Sequence, residues 1–153
     1  MVALIQRVKN ASVTVQDEIV GSIEKGLLIL LGVHVSDTAA EVKWLAKKCA
    51  NLRIFQDEEN RMNRSVLDIS GQVLVVSQFT LYGNASKGNR PSFVDSAHPD
   101  IAIKLYEYFI AELNGYLKSP VETGVFGAMM DVSLVNDGPV TLWVEKKTRT
   151  AKE

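Results

Sequence analysis

The chain has one cysteine, Cys49, in 153 residues, which rules out an internal disulfide framework. It has two histidines, His34 and His98, with no cysteine or carboxylate at ligand spacing, so no metal site is expected. A phosphate-binding P-loop is missing, as is any Gly-Xaa-Gly-Xaa-Xaa-Gly, and no cofactor is expected. The longest apolar run, Leu27 to Leu31, is strand length and well short of the ~18 residues a membrane span needs. The first residues lack the basic-then-apolar layout of a signal peptide. The expectation is a cytoplasmic protein with no membrane partner. Charge of one sign is lacking too: 17 Lys and Arg stand against 18 Asp and Glu, for a net charge of -1. A dedicated nucleic-acid binder carries a basic excess, so any RNA contact here should be local.

What is present suits a soluble globular domain: 46% hydrophobic and 23% charged residues. A chain of this length buries roughly 70% of its unfolded surface. Patchy alternation over the first sixteen residues predicts strand, with a hairpin turn at Asp17-Glu18 returning through Ile19 to Ile23. The glycine-bounded apolar run Gly26 to Val33 predicts a buried strand. Thr38 and Glu41 form a capping box for a helix to about residue 50, with Val42, Leu45, Ala46 and Cys49 on its apolar face. A short strand at Leu52 to Phe55, a polar loop at Gln56 to Arg64 and a strong strand at Gln72 to Phe79 follow. Tyr82 to Ala97 reads as a long loop, which in a compact domain is usually functional. A second helix spans Pro99 or Asp100 to Leu113, capped near Gly115. Val121 to Phe126, Met129 to Val135 and Val140 to Glu145 read as three closing strands. The expectation is one α/β domain of α+β character over residues 1–146, with mixed sheets, two main helices, and a polar, frayed tail over 147–153.

Cys49 on an apolar helix face reads as a buried structural thiol. Two segments stand out. Ser77-Gln78-Phe79-Thr80-Leu81 puts polar residues at the end of the strongest strand, beside the long loop. Strand ends of this kind offer side chains and N–H groups to ligands, but they also occur simply as solvated sheet edges. Asn136-Asp137-Gly138-Pro139-Val140-Thr141 is turn chemistry, and by itself reads as a hairpin loop. Glycine before proline is notable because it lacks the side chain that restricts residues preceding proline.

Taken together, these segments resemble the D-aminoacyl-tRNA deacylase family, whose signatures Ser-Gln-Phe-Thr-Leu and Asn-Xaa-Gly-Pro-Val-Thr stand intact at residues 77–81 and 136–141. Further stretches resemble the same family: Gln6-Arg7-Val8 with Ala11-Ser12-Val13, Lys87 to Phe93, and Phe126-Gly127-Ala128-Met129-Met130. The likeness spans nearly the whole chain.

The resemblance implies the fold of that family and a homodimeric hydrolase acting on the aminoacylated 3′ end of tRNA. It would cleave the ester of D-aminoacyl-tRNA, spare the L-form, and accept glycine mischarged on tRNA(Ala). The implied site lies at the dimer interface. One chain supplies Ser77, Gln78, Phe79 and Thr80, and the other a Gly138-cis-Pro139 turn that selects chirality. Arg7 would support that turn, and Met129 or Met130 would line the adenosine or ester region. Backbone N–H groups near Phe79 and Thr80 would hold the oxyanion. No histidine or carboxylate is placed to activate Thr80, which favours substrate-assisted attack by water over a covalent intermediate. Lys87 and Arg90 are candidates for phosphate contacts, or ordinary loop charges. A non-catalytic RNA-end-binding module and a hydrolase of other esters are the rival readings.

Overall fold

The computed structural model describes residues 1–148. Its elements in chain order are β1 (Val2–Val15), β2 (Glu18–Ile23), β3 (Gly26–Gly32), α1 (Ala39–Asn51), β4 (Phe55–Gln56), β5 (Met62–Arg64), β6 (Gln72–Ser77), a 3-10 turn (Phe79–Tyr82), α2 (Pro99–Asn114), β7 (Glu122–Thr123) and β8 (Asp131–Glu145). The fold is a mixed α/β arrangement of one principal sheet and two helices. In that sheet β1, β3, β6 and β7 lie side by side, and β2 and β8 also pair with β1. The β3–β6 and β6–β7 pairs are parallel and the others antiparallel.

Strand alternation divides the core in two. Leu27, Ile29, Leu31, Val73 and Val75 point to one face, where they pack with Val42, Leu45 and Cys49 of α1 and with Tyr106, Phe109 and Leu113 of α2. Leu28, Leu74 and Val76 point to the other face and meet Val8, Ala11, Val13 and Ile23. That second cluster needs no helix because the sheet curls over it. A Cβ added at Gly21 of β2 would collide with the Thr123 carbonyl of β7, so the two sheet edges approach within backbone contact.

Helix α1 starts where its capping box predicts: the Thr38 hydroxyl accepts from the Ala40 N–H, and the Glu41 carboxylate takes up the Thr38 N–H at 2.8 Å. Cys49 is fully buried, and burial pushes its thiol up to about 12, so it stays protonated at neutral pH.

Four expectations change. The strand expected at Leu52 to Phe55 shrinks to Phe55–Gln56, and the polar loop after it contains β5, which closes a two-stranded ribbon with β4. The strand expected through Phe79 stops at Ser77, because the chain tightens into the 3-10 turn. The strand expected at Val121 to Phe126 is two residues long. The strands expected at Met129 to Val135 and Val140 to Glu145 are one strand, β8. Asn136 to Thr141 is therefore no hairpin loop. Both flanks of β8 pair antiparallel with β1, and the segment between them is a large bulge: two steps along β1, Gln6 to Val8, face five along β8, Thr141 to Asn136.

The bulge exchanges the faces of the strand. Val132 and Leu134 pack into the curled cluster, whereas Leu142 and Val144, also even-numbered, pack under the helices. β1 makes the same exchange across its irregularity between Val8 and Asn10, with Ile5 on the helix side and Ala11 and Val13 on the other.

Beyond β8, the Lys146 N–H donates to the Met1 carbonyl at 2.9 Å and the Thr148 hydroxyl to the Ser36 carbonyl at 2.9 Å. The first residues of the expected frayed tail are therefore tied down, and 149–153 lie outside the described residues.

Candidate active site

The end of the β3–β6 ladder shapes the first segment. Ser77 is the last residue in register, opposite Leu31, and the Gln78 N–H makes one more bond to the Leu31 carbonyl at 2.8 Å. The 3-10 turn is then closed by Leu81 N–H to Gln78 carbonyl (3.3 Å) and Gly83 N–H to Thr80 carbonyl (2.9 Å). A turn of this kind leaves its first donors unused. Among the described residues, the N–H groups of Phe79 and Thr80 have no acceptor. Two side-chain contacts hold the turn: the Gln78 side-chain amide donates to the Thr80 hydroxyl, and the Ser96 hydroxyl, from the far end of the long loop, donates to the Phe79 carbonyl at 2.7 Å. The Phe79 ring, 59% exposed, meets Phe93 edge-on at 5.2 Å. A Cβ at Gly83 would lie 2.8 Å from the Phe93 ring, so glycine is what lets the loop leave the turn this closely.

The chemistry at Thr80 follows from its partner. An amide donor gives its hydroxyl nothing that could remove a proton. His34 instead pairs its Nδ1 with the Ser36 hydroxyl at 2.8 Å and packs edge-on against Tyr82, while His98 faces Asp100 at 3.3 Å. Beside the turn a cavity of about 310 Å³ has a lining of mixed charge that includes Met1, Asp37, Tyr82, Asp95, Glu145 and Lys147. Of its three carboxylates, that of Asp37 is paired with the Met1 ammonium at 2.6 Å.

The second segment is the bulge of β8. The Gly138–Pro139 peptide is cis, and both residues are exposed. The groups beneath them are fixed. Arg7, 7% exposed, donates from Nε to the Asp137 carbonyl at 2.8 Å and from a terminal nitrogen to the Ile54 carbonyl at 2.6 Å, with the Asp137 carboxylate 3.4 Å from its Nε. The Asn136 side-chain amide donates to the Arg7 carbonyl and the Val140 carbonyl, each at 3.0 Å, which ties both feet of the arch. A Cβ at Gly138 would run into the Asn136 side-chain oxygen and the Val140 nitrogen. Sequence reasoning quoted Asn136 within the motif and gave it no role. Its signal was available: an asparagine amide carries two donors, and an arch with unpaired carbonyls is where they go.

Within one chain the two segments do not meet. Gly138 sits near the rung of Arg7, Leu27 and Val73, and Ser77 at the rung of Leu31 and Ala3. Four residues along the strands and three strand spacings across them separate the two by roughly 20 Å. The two methionines also part. Met130 is half-buried in the curled cluster against Gly124, whose N–H reaches the Val75 carbonyl of β6. Met129 is 92% exposed. Lys87 and Arg90 are exposed in the long loop, clear of both segments' hydrogen bonds.

Residues 4–145 match the family model described as D-Tyr-tRNA(Tyr) deacylase. The chain is 60% identical over 147 residues to the D-aminoacyl-tRNA deacylase of Salinibacter ruber, covering 96% of this chain and 98% of that one. It is 59% identical to the protein of the same name from Thermosipho africanus, again over 96% and 98%. Among solved structures it is similar to the c-Myc DNA Unwinding Element Binding Protein, with a TM-score of 0.91 and 39% identity over 97% of this chain and 100% of that one. A probable eukaryotic D-amino acid tRNA deacylase shares the fold, with a TM-score of 0.79 at 17% identity over 94% and 97%.

Proposed function

The chain belongs to the D-Tyr-tRNA(Tyr) deacylase family and is a hydrolase that acts as a D-aminoacyl-tRNA deacylase, and we propose that it sorts its substrates at a site built from two copies of itself. One copy contributes Ser77, Gln78, Phe79 and Thr80, and the other presents Gly138 and Pro139. The observation that carries this reading is the separation of two exposed family segments at opposite ends of one sheet, too far apart to touch a single ester.

The carbonyls of Gly138 and Pro139 accept hydrogen bonds from the substrate's α-ammonium group. With that group and the ester fixed, a D side chain points outward, whereas an L side chain runs into the turn. Rejection by collision separates isomers more sharply than added attraction does. Glycine has nothing to collide, so glycine mischarged on tRNA(Ala) is hydrolysed as well. Arg7 and Asn136 hold the arch so that it does not yield to the wrong isomer. Met130, beside β6, lines the adenosine end, and Met129, at the surface, is free to meet the partner.

The unused N–H groups of Phe79 and Thr80 hold the oxyanion, worth ~3–4 kcal/mol per donor in comparable sites. The Thr80 hydroxyl, bonded to an amide donor, has no base to activate it. Water attacks instead, assisted by the ribose 2′-OH beside an already labile ester. The protein needs no cofactor for this, and its place of work is the cytoplasm, where charged tRNA is used.

Incubation with D-Tyr-tRNA and L-Tyr-tRNA tests the activity: only D-tyrosine should be released. Binding without release would instead indicate an RNA-end-binding module, and equal loss of both isomers would refute chiral selection. Mixing subunits tests the shared site. A Gln78→Ala chain and a Gly138→Ala chain, each weakly active alone, should on random re-association recover about a quarter of native activity, because half the dimers then carry one intact site of two. No recovery, with heterodimers present by mass, would remove the shared site.

A further inference from the structure

The outer face of α1 is basic in a chain whose charges, counted over all residues, nearly cancel. Lys43, Lys47 and Lys48 are exposed along it, and the helix's one acidic residue, Glu41, is turned inward and used up in the capping box. Trp44 lies between them, 38% exposed, with the Lys48 ammonium 5.3 Å and the Lys146 ammonium 5.2 Å from its ring. Cations over an indole are held in place by its π-face, here from two different elements. Lys147 continues the face at the surface. Among the described residues none of these lysines is in an ion pair, whereas Arg7, Arg61 and Arg64 each are. A solvated helix face commonly alternates charge sign, and this one does not.

Position gives the patch a use. The end of β8 faces the start of β1, which faces the end of β3, which faces Ser77. Lys146 follows β8 directly, and its backbone is pinned to Met1 in both directions, at 2.9 and 2.8 Å. The Trp44–Lys146 corner therefore stands at the Ser77 end of the sheet. Between it and the 3-10 turn lies the cavity whose lining includes Asp37, Asp95, Glu145 and Lys147.

We propose that the Lys43–Trp44–Lys47–Lys48 face of α1, extended by Lys146 and Lys147, is the docking surface for the phosphate backbone of the tRNA acceptor arm while its aminoacylated end reaches the Ser77–Thr80 turn. The inference rests on the deacylase reading and adds where the body of the substrate is held. Lysine contacts to phosphate release counterions, so they appear as salt dependence more than as selectivity.

The test is a Lys43→Glu/Lys47→Glu/Lys48→Glu variant assayed on two substrates: D-tyrosyl-tRNA, and D-tyrosyl-adenosine, which has the ester and no acceptor arm. The three residues are exposed, and glutamate suits a helix as well as lysine does, so the fold should be kept. KM for the tRNA should rise at least tenfold at about 0.1 M salt, and the slope of log KM against log salt should fall by about two to three. Turnover of the adenosine ester should be native, and the triple arginine variant should retain native KM on tRNA. An unchanged KM for tRNA would overturn the proposal, as would equal losses on both substrates. If the native protein cleaves neither substrate, the deacylase reading has failed first, and the docking surface falls with it.

Discussion

The two ends of the sheet are built in opposite ways. At the Ser77 end the ladder stops early, the chain tightens into one turn, and donors are left open. At the Gly138 end each flank of the arch is tied: Arg7 to the Asp137 carbonyl, Asn136 to both sides of the bulge. Open donors suit a charge that forms during reaction. A clamped arch suits a shape that must not give way. Under the proposed function, rejection and bond-breaking make different demands, and the sheet meets them at ends roughly 20 Å apart.

Three substitutions break or sharpen that contrast. Gly138→Ala should have the largest effect, because a Cβ there meets Asn136 and the Val140 nitrogen. A displacement of about 1 Å in a positioning element costs on the order of 100-fold in kcat/KM, and D-Tyr-tRNA hydrolysis should fall by that much. Native kinetics would mean that the arch takes no part. Arg7→Ala should come next and act on stability as well. It leaves the Ile54 and Asp137 carbonyls short of a charged donor, a loss of about 3 kcal/mol, which at this size lowers Tm by roughly 6–12 °C. Calorimetry that finds Tm unmoved would make Arg7 a surface-like contact. Thr80→Ala should have the smallest effect, less than tenfold on kcat by an order-of-magnitude reading of its neutral hydrogen bond. Complete loss of turnover, or an acyl-enzyme trapped on the native protein, would restore Thr80 as a nucleophile.

Much of the fold is legible in the sequence where a signal is local. The glycine-bounded run Gly26 to Val33 is β3, and Thr38 with Glu41 starts α1. The second helix, α2, also lies where the sequence puts it, although its buried face is Ala102, Tyr106, Phe109 and Leu113, and Ile101 is exposed. Asn136 to Thr141 was not legible, because Asn, Asp, Gly and Pro favour any tight departure from extended chain. A hairpin and a bulge differ only in where the strand beyond goes, and pairing with β1, more than 120 residues earlier, decides that. The turn at Phe79 was hidden for the same reason. Its residues favour strand, but β3 ends opposite and withdraws the ladder. For the site, motif likeness pointed to both segments, while their separation within one chain is a property of register that no local pattern carries.

The exchange of faces in β8 also limits how the gene can change. Surface arches normally tolerate insertions and deletions. Here, removing one residue between Asn136 and Val140 would turn Leu142 and Val144 out to solvent and Trp143 in under the helices, since a step of one reverses every side chain that follows. The length of the segment is fixed by the core on either side of it, just as Gly138 and Asn136 are fixed by the space and hydrogen bonds of the arch.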